Sequence, residues 1–325
     1  MKNILVTGGA GYIGSHIVEQ LVKNNNKVII IDNLVTGHKK LINKRTKFIK
    51  ADIKDKSKII NIIKDNNITS IIHLAAYLNV REAEKNKIKY YKNNITGTKN
   101  LLEACKNSNV KNIIFSSSCS IYGSVNGSVS ESKKANPKGY YGYTKYKGEL
   151  LIKKLSRKYK LNYGILRYFN VAGASSSGKI GEIETSHGHL IKNLAVLYLK
   201  KKPVVKIFGN NYKSKDGTCV RDYIHVSDLA NIHITGLNYL KKNNKSFILN
   251  CGYGKGYSVQ EIVNIFKKIK KNVKVELQNR RLGDVDQVYA NTKNFKKLLR
   301  YKPMYNNIKE IILSAIKWEK KIKKL

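Results

Sequence analysis

The sequence predicts an α/β fold in which a doubly wound parallel sheet carries a smaller C-terminal α/β domain. Three observations predict it. An aliphatic run, Ile4-Leu5-Val6, leads into glycines at 8, 11 and 14, and a second run, Val28-Ile29-Ile30-Ile31, ends at an acid, Asp32. Apolar segments of strand length then alternate with segments of helical period as far as residue 170. Parallel strands buried on both faces read as continuous aliphatic runs, and their crossovers are right-handed.

The first stretch, Lys2 to His16, sets the frame. One glycine permits the tight turn, one lets the backbone approach a pyrophosphate, and one lets the helix lie against the strand, so that the helix N-terminus offers N–H groups to negative charge. A dinucleotide fold places an acid about 20 residues further on, at the end of the second strand. Asp32 stands there. Its carboxylate accepts from both adenosine ribose hydroxyls and repels a 2′-phosphate, so the expected cofactor is NAD, not NADP. A glycine-rich turn with an incidental acid is the alternative, and the common register of strand, glycines, helix and acid leaves it little weight.

After a polar turn, Asn33 to Lys39, a third strand is expected around Thr46 to Ile49, followed by Ala51-Asp52-Ile53 and a helix capped by Asp55. Ile59, Ile62 and Ile63 share a helical face, and Ile71 to Ala76 reads as the fourth strand. A long helix is expected from Ile88 to Asn109, then a strand, Asn112 to Ser118, that stops in three serines. Ligands of an open parallel sheet sit beyond the strands' carboxyl ends, so Ser116 to Ser118 stand where chemistry is expected. Residues 119 to 139 read as a loop, and the next helix opens with Tyr140 to Lys145, placing Tyr141 and Lys145 on one face. Strand six is expected at Tyr163 to Arg167. Beyond it the alternation weakens: 171 to 188 read as loop, Val226 to Leu240 as helix and Ser246 to Cys251 as one more buried strand.

The 63 Lys+Arg against 21 Asp+Glu give a formal charge of +42. The excess is spread along the chain among Asn and Ile, with no basic arm and no stripe interleaved with aromatics, so no nucleic-acid partner is expected. Codons rich in A and T account for it. Cys105, Cys119, Cys219 and Cys251 form no Cys-x-x-Cys pair, and the seven histidines lack ligand spacing, so neither disulfides nor a metal are expected. His187 and His189 read as surface groups. With neither a signal peptide nor an apolar run of membrane-spanning length, the expected location is cytoplasmic.

A tyrosine and a lysine on one helical turn, facing a serine at a strand end, make a proton-handling group beside a nicotinamide. A free phenol, with a reference pKa of about 10, is a weak base near neutrality. The Lys145 ammonium and the positive ring are expected to lower it, so that Tyr141 takes a proton from a sugar hydroxyl while Ser118 holds the same oxygen. The chain has 21 tyrosines, and the Tyr-x-x-x-Lys spacing selects Tyr141 among its neighbours. Ser118 is harder to separate from Ser116 and Ser117 by alternation alone.

Those motifs, with His73-Leu74-Ala75-Ala76, Asn93-Asn94, Tyr122-Gly123, Arg167 to Asn170, Ile207-Phe208-Gly209, Asp216 to Val226 and Arg281 to Asp284, resemble the extended short-chain dehydrogenase/reductases over nearly the full length. The likeness is greatest to the 4-epimerases of UDP-hexoses. It implies a Rossmann-like domain for NAD at 1–170, with 226–251 returning to it, and a mainly nucleotide-sugar-binding domain at 171–325. It implies a reaction without net redox change: C4 of the sugar is oxidised by NAD, the 4-keto sugar turns over, and reduction returns on its other face. Tyr141 is then the base, Lys145 also holds the nicotinamide ribose, and Ser118 meets the sugar. Gly8, Gly11, Tyr12, Ile13 and Gly14, then Asp32, Asn33, Asp52 and Ile53, and finally Asn93 and Tyr168, are implied as cofactor contacts. Asn170, Arg221, Arg281 and Asp284 are implied for the UDP part, and planar arginine forks suit a diphosphate. Tyr223 lines the pocket. Val288, four residues after Asp284, stands where the family limits pocket size, and its small side chain implies room for an N-acetyl sugar. A homodimer through the stretches near 88–105 and 140–157 is also implied.

Departures from the pattern lie at Leu78 and Arg81, where several such enzymes carry lysine and glycine, which puts cofactor contacts from this loop in question. Cys119 and Ser120 replace the Asp-Glu pair that a dehydratase needs. Glucuronate epimerases, decarboxylases and a non-catalytic NAD-binding regulator stay open as alternatives.

Overall fold

The computed structural model describes residues 3–183, 188–281 and 284–323. In chain order the strands are β1 (Asn3–Thr7), β2 (Lys27–Asp32), β3 (Lys47–Lys50), β4 (Ile68–His73), β5 (Asn112–Ser118), β6 (Asn126–Val129) and β7 (Asn162–Tyr168). They continue as β8 (Asn170–Ala172), β9 (Val204–Phe208), β10 (Val220–His225), β11 (Phe247–Cys251), β12 (Gly256–Ser258), β13 (Lys274–Gln278) and β14 (Gln287–Ala290). The helices are α1 (Tyr12–Lys23), α2 (Lys56–Asp65), α3 (Val80–Lys85), α4 (Lys87–Tyr90), α5 (Gly97–Ala104) and α6 (Tyr140–Tyr159). Then come α7 (Leu190–Tyr198), α8 (Val226–Asn243), α9 (Val259–Ile269), α10 (Lys293–Leu299) and α11 (Ile308–Ile322).

The chain divides into two compact units. One comprises Met1–Ile121, Pro137–Arg167 and Ala230–Leu249; the other comprises Tyr122–Asn136, Tyr168–Leu229 and Asn250–Leu325.

The first unit is built on a seven-stranded sheet in the order β11-β7-β5-β4-β1-β2-β3. The pairs β3–β2, β2–β1, β1–β4 and β4–β5 are parallel. Strand order reverses between β1 and β4, which is where such sheets open a crevice at their carboxyl edge. Ile4, Leu5, Val6, Ile30 and Ile31 are wholly buried, which accounts for unbroken aliphatic runs where a one-faced strand would alternate. Each such side chain contributes about 1.5–3 kcal/mol on leaving water. One core layer joins Ile29, Ile71, Ile113 and Ile165 of the strands to Ile59 and Ile63 of α2, Leu101 of α5 and Ile152 of α6. Asp55 caps α2 by accepting from Lys58 N at 3.0 Å.

In the second unit β12, β10, β14 and β6 form a sheet in that order, with β8 beside β10, and β9 and β13 form a parallel pair. Its core gathers Ile191 and Leu194 of α7, Ile262 and Phe266 of α9, and Ile312 and Ile316 of α11. Asp228 ties down the segment before α11, accepting from the hydroxyls of Tyr253 and Tyr301 and from Met304 N and Tyr305 N.

Three expectations need correction. The long helix of 88–109 is α4, a π-helical turn over Tyr91–Thr96, and α5, because the Asn93-Asn94 pair diverts its side chains into a local network. The loop of 119–139 contains a 3₁₀ turn, Cys119–Tyr122, and β6, which becomes a strand by pairing in parallel with β14 over 150 residues away in sequence. Strand four ends at His73: Leu74 N is shared between Thr7 O and the Thr7 hydroxyl, and Ala75 N turns to the hydroxyl. No helix among the described residues is long and apolar enough to cross a membrane.

Candidate active site

In the first unit the glycine turn is held by Gly8 N donating to Ile31 O at 2.9 Å and Gly11 N to Gly8 O at 3.1 Å. Gly8 has φ +72°, and a Cβ there would lie 2.8 Å from Ala75 N. At Gly14 a Cβ would lie 2.1 Å from Gly8 O. Helix α1 starts after Gly11 with neither a side-chain cap nor an acid in its first turn, so its terminal N–H groups suit an anion.

Asp32 closes this cradle. Its carboxylate accepts from Ala10 N at 3.1 Å and Leu34 N at 2.9 Å, and each oxygen keeps a lone pair for a further donor. Burial raises its pKa, against those two N–H groups and His38. Asn33 donates to Asp52 Oδ2 at 3.0 Å, and Ile53 is buried beside Gly97. A glycine cradle at a helix start with a paired acid beside it is the donor and acceptor set that a dinucleotide requires, so these residues fit NAD.

Beneath the cradle lies His73, and its tautomer follows from its partners. Thr98 Oγ1 donates to Asn94 O at 2.7 Å, so it must accept from His73 Nε2 at 2.9 Å. Nδ1 then accepts from Thr7 Oγ1 at 2.7 Å, which leaves that oxygen's lone pairs for Leu74 N and Ala75 N. Burial, with the Lys145 charge, pushes the His73 pKa down to about 3, so the ring stays neutral. From Asn94 the network runs on: its amide donates to Tyr77 O and to Thr144 Oγ1, which donates to Tyr141 O, while Asn93 Nδ2 donates to Asn94 Oδ1.

Ser118, Tyr141 and Lys145 come together at the end of β5 and the first turns of α6. Tyr141 is hydrogen-bonded to Ser118. Ser118 Oγ accepts from Ser120 Oγ at 2.9 Å and Ser120 N at 3.2 Å, which directs its own proton toward the phenol oxygen. The close approach is possible because Gly142 lacks a Cβ, which would meet Ser120 O at 2.6 Å. Ser117 turns elsewhere, its hydroxyl donating to Glu149 Oε1 at 2.6 Å. Lys145 is buried, lies over the Phe115 ring and donates to Ser116 O at 2.8 Å.

The electrostatics of the chain alone differ from the sequence expectation. Burial raises the Tyr141 pKa, with the Ser118 hydrogen bond as the opposing influence. The Lys145 ammonium is aimed at the Ser116 carbonyl, and burial pushes its pKa down to about 7 against the upward pull of Glu149. Low dielectric penalises both charges, which the sequence, carrying no burial, could not show.

In the second unit Arg221 and Asp284 form an ion pair at 3.5 Å, and Arg221 Nη1 also donates to Val220 O and Val285 O. The Arg281 guanidinium stacks on Phe208 at 3.8 Å from the ring centroid. Arg280 stacks on Tyr212 at 4.0 Å, and the Tyr212 hydroxyl donates to Asp284 Oδ2 at 3.4 Å. Backbone pairing sets Arg221 opposite Val288 and Tyr223 opposite Asn170. Val288, Tyr223 and Tyr168 are buried, and burial raises the Tyr223 pKa. Leu282, Gly283 and His187 lie outside the described residues, and His189 is ion-paired to Glu182 at 2.6 Å.

Sequence reasoning missed Glu149, Tyr212 and Arg280, and it quoted Asn94 and Arg167 within motifs without giving either a role. Glu149 carried a signal, standing one helical turn beyond Lys145. Arg280 and Tyr212 carried none, since their stacking joins residues far apart in the chain.

Residues 4–252 match the model of the NAD dependent epimerase/dehydratase family. The chain is 41% identical over 319 residues to the UDP-glucose 4-epimerase of Lactobacillus helveticus, covering 98% of this chain and 97% of that one. It is 32% identical, with a TM-score of 0.94, to the UDP-glucose-4-epimerase of Stenotrophomonas maltophila solved with bound NAD and formylated UDP-arabinopyranose, covering 100% and 99%. It is 36% identical, with a TM-score of 0.85, to the UDP-Glc/GlcNAc 4-epimerase of Campylobacter jejuni, covering 99% and 100%.

The glycine geometry makes a differential prediction. Gly14→Ala forces its methyl against the Gly8 carbonyl and is expected to cost about 3 kcal/mol in urea unfolding, whereas Gly11→Ala, whose Cβ meets Gly8 O at 3.3 Å, costs less than about 1 kcal/mol. Equal losses for both would remove this account of the turn.

Proposed function

The chain belongs to the NAD dependent epimerase/dehydratase family, and on that premise we propose that it inverts C4 of a UDP-hexose, interconverting UDP-glucose and UDP-galactose. What carries the reading is its likeness along nearly the whole length to enzymes of that activity, with Ser118, Tyr141 and Lys145 grouped at one strand end. When bound, NAD supplies reversible acceptance of hydride from C4, so the sugar is inverted without net redox change.

The chain's own residues supply the rest. Tyr141 takes the proton of the C4 hydroxyl and returns it after the 4-keto sugar has turned. With substrate bound, Ser118 turns its one proton from the phenol onto that oxygen and holds it. Lys145 offsets the phenolate charge, which burial otherwise opposes. Gly8, Gly11, Tyr12, Ile13 and Gly14 hold the pyrophosphate; Asp32 and Asn33 hold the adenosine side with Asp52 and Ile53; Asn93 and Tyr168 complete the cofactor contacts. The first unit is thus the cofactor domain and the second the nucleotide-sugar domain. There Arg221 and Arg281 meet the diphosphate, each pre-oriented by a partner, and Asn170, Asp284 and Tyr223 hold the remainder of the UDP-sugar.

Two finer assignments belong to this reading. Val288 leaves room for an N-acetyl group, as suits a relative whose name includes UDP-GlcNAc. The enzyme is a cytoplasmic homodimer: its four cysteines are free thiols, and Ile88, Tyr91 and Leu150 expose apolar surface on the stretches 88–105 and 140–157.

Tyr141→Phe is expected to lower kcat for UDP-galactose by about 10²–10⁴-fold with NAD still retained. Undiminished turnover would end the assignment. Wild type is expected to turn over UDP-N-acetylgalactosamine, and Val288→Tyr to lose that substrate while keeping UDP-galactose; a wild type active only on UDP-galactose removes the specificity claim. Ile88→Lys is expected to halve the mass seen by sedimentation, and an unchanged mass places the dimer contact elsewhere.

A further inference from the structure

Glu149 is wholly buried on α6, one turn beyond Lys145, and four donor interactions converge on this seam. Ser117 Oγ donates to Oε1 at 2.6 Å, Arg167 Nε to Oε1 at 2.9 Å, and Arg167 Nη2 to Oε2 at 2.8 Å. Lys145 Nζ donates to Ser116 O, the residue next to Ser117. A bidentate arginine and a serine leave the carboxylate no freedom to rotate, and a charge-assisted cluster of this kind is costly to bury unless every member is satisfied. The proposed chemistry uses Lys145 but gives Glu149 no part.

We propose that Glu149 is a positioning residue for that chemistry: clamped by Arg167 and Ser117, its carboxylate supplies the negative charge that keeps Lys145 an ammonium where helix α6 lies on strand β5. This rests on the reading of Tyr141 and Lys145 given above. The groups facing Lys145 sort by sign. On its own helix stand Tyr141, neutral when its pKa is raised, and Glu149, which in turn carries the Arg167 cation of β7; from β4 comes His73, neutral in its network; β5 offers the Ser116 carbonyl and the Phe115 ring. Glu149 is therefore the one anion among these groups. Burial alone pushes the lysine toward its neutral form, and Glu149 opposes that. The same carboxylate fixes Ser117, so the strand end carrying Ser118 and the helix turn carrying Lys145 share one anchor.

The test reads the charge of Lys145 directly, without turnover. In the purified protein carrying ¹³C-lysine, the Lys145 Cε resonance, assigned with Lys145→Met, is expected to titrate near neutral pH, well below the surface lysines. Glu149→Gln is expected to move that midpoint down by about 1 pH unit or more, and Arg167→Gln, which leaves the carboxylate uncancelled, to move it up. A merely structural role would disturb both variants alike. In Glu149→Gln the loss of kcat at rising pH is expected to begin at lower pH, with KM for UDP-galactose unchanged. A midpoint unmoved in both variants, or moved the same way in both, overturns the proposal. Should Glu149→Gln not fold, Arg167→Gln decides by its direction. A wild-type midpoint below about pH 6 overturns it without any variant, because Lys145 would then be uncharged where the enzyme works. Loss of the epimerase reading itself would show as a wild type inactive on UDP-galactose, whatever the lysine titration gives.

Discussion

The backbone of Gly14 packs so tightly on the Gly8 carbonyl that no side chain fits, and the organisation of the first unit follows from that contact. It sets α1 close against β1 and β2, and it turns the first N–H groups of the helix toward the carboxyl edge of the sheet. The acid at the end of β2 then lies beside the turn, accepting from Ala10 N within it. An extra methyl would raise the helix off the sheet and separate those parts. Close packing, not composition, makes the anion cradle.

Below that cradle, two chains of hydrogen-bonded buried polar groups each end on a segment of the proposed site. Thr7, His73, Thr98 and Asn94 form one such chain, and it reaches Tyr141 through Thr144. Ser117, Glu149 and Arg167 form another at the end of β5. In a medium of low dielectric an unpaired member of either chain would be costly, so each holds its neighbours in one arrangement. Under the proposed function, side chains held in this way need little reorganisation when substrate arrives, which is how preorganised sites lower a barrier.

Much of the fold was legible because buried parallel strands cannot hide. Ile4 to Val6, Ile29 to Ile31 and Ile113 to Phe115 are continuous aliphatic or aromatic runs, and Asp55 stands where a cap is needed. The short strands of the second unit were not legible. β6, Asn126 to Val129, has no strand-like composition and exists through its pairing with β14. The widening of the continuous helix from α4 to α5 into a π turn at Tyr91–Thr96 was equally hidden, and there Asn94 bonds to Tyr77 and Thr144.

By itself the sequence determined the glycine turn, the acid after the second strand and the helical turn that links Tyr141 to Lys145, because each depends on residue type and spacing over a few neighbours. Only the tertiary structure decided which of the three serines meets the phenol, that burial pushes Tyr141 up and Lys145 down, and that Glu149 and Arg167 lie beneath them. Those outcomes depend on solvent exclusion and on partners brought together from distant parts of the chain, and neither is written in local spacing.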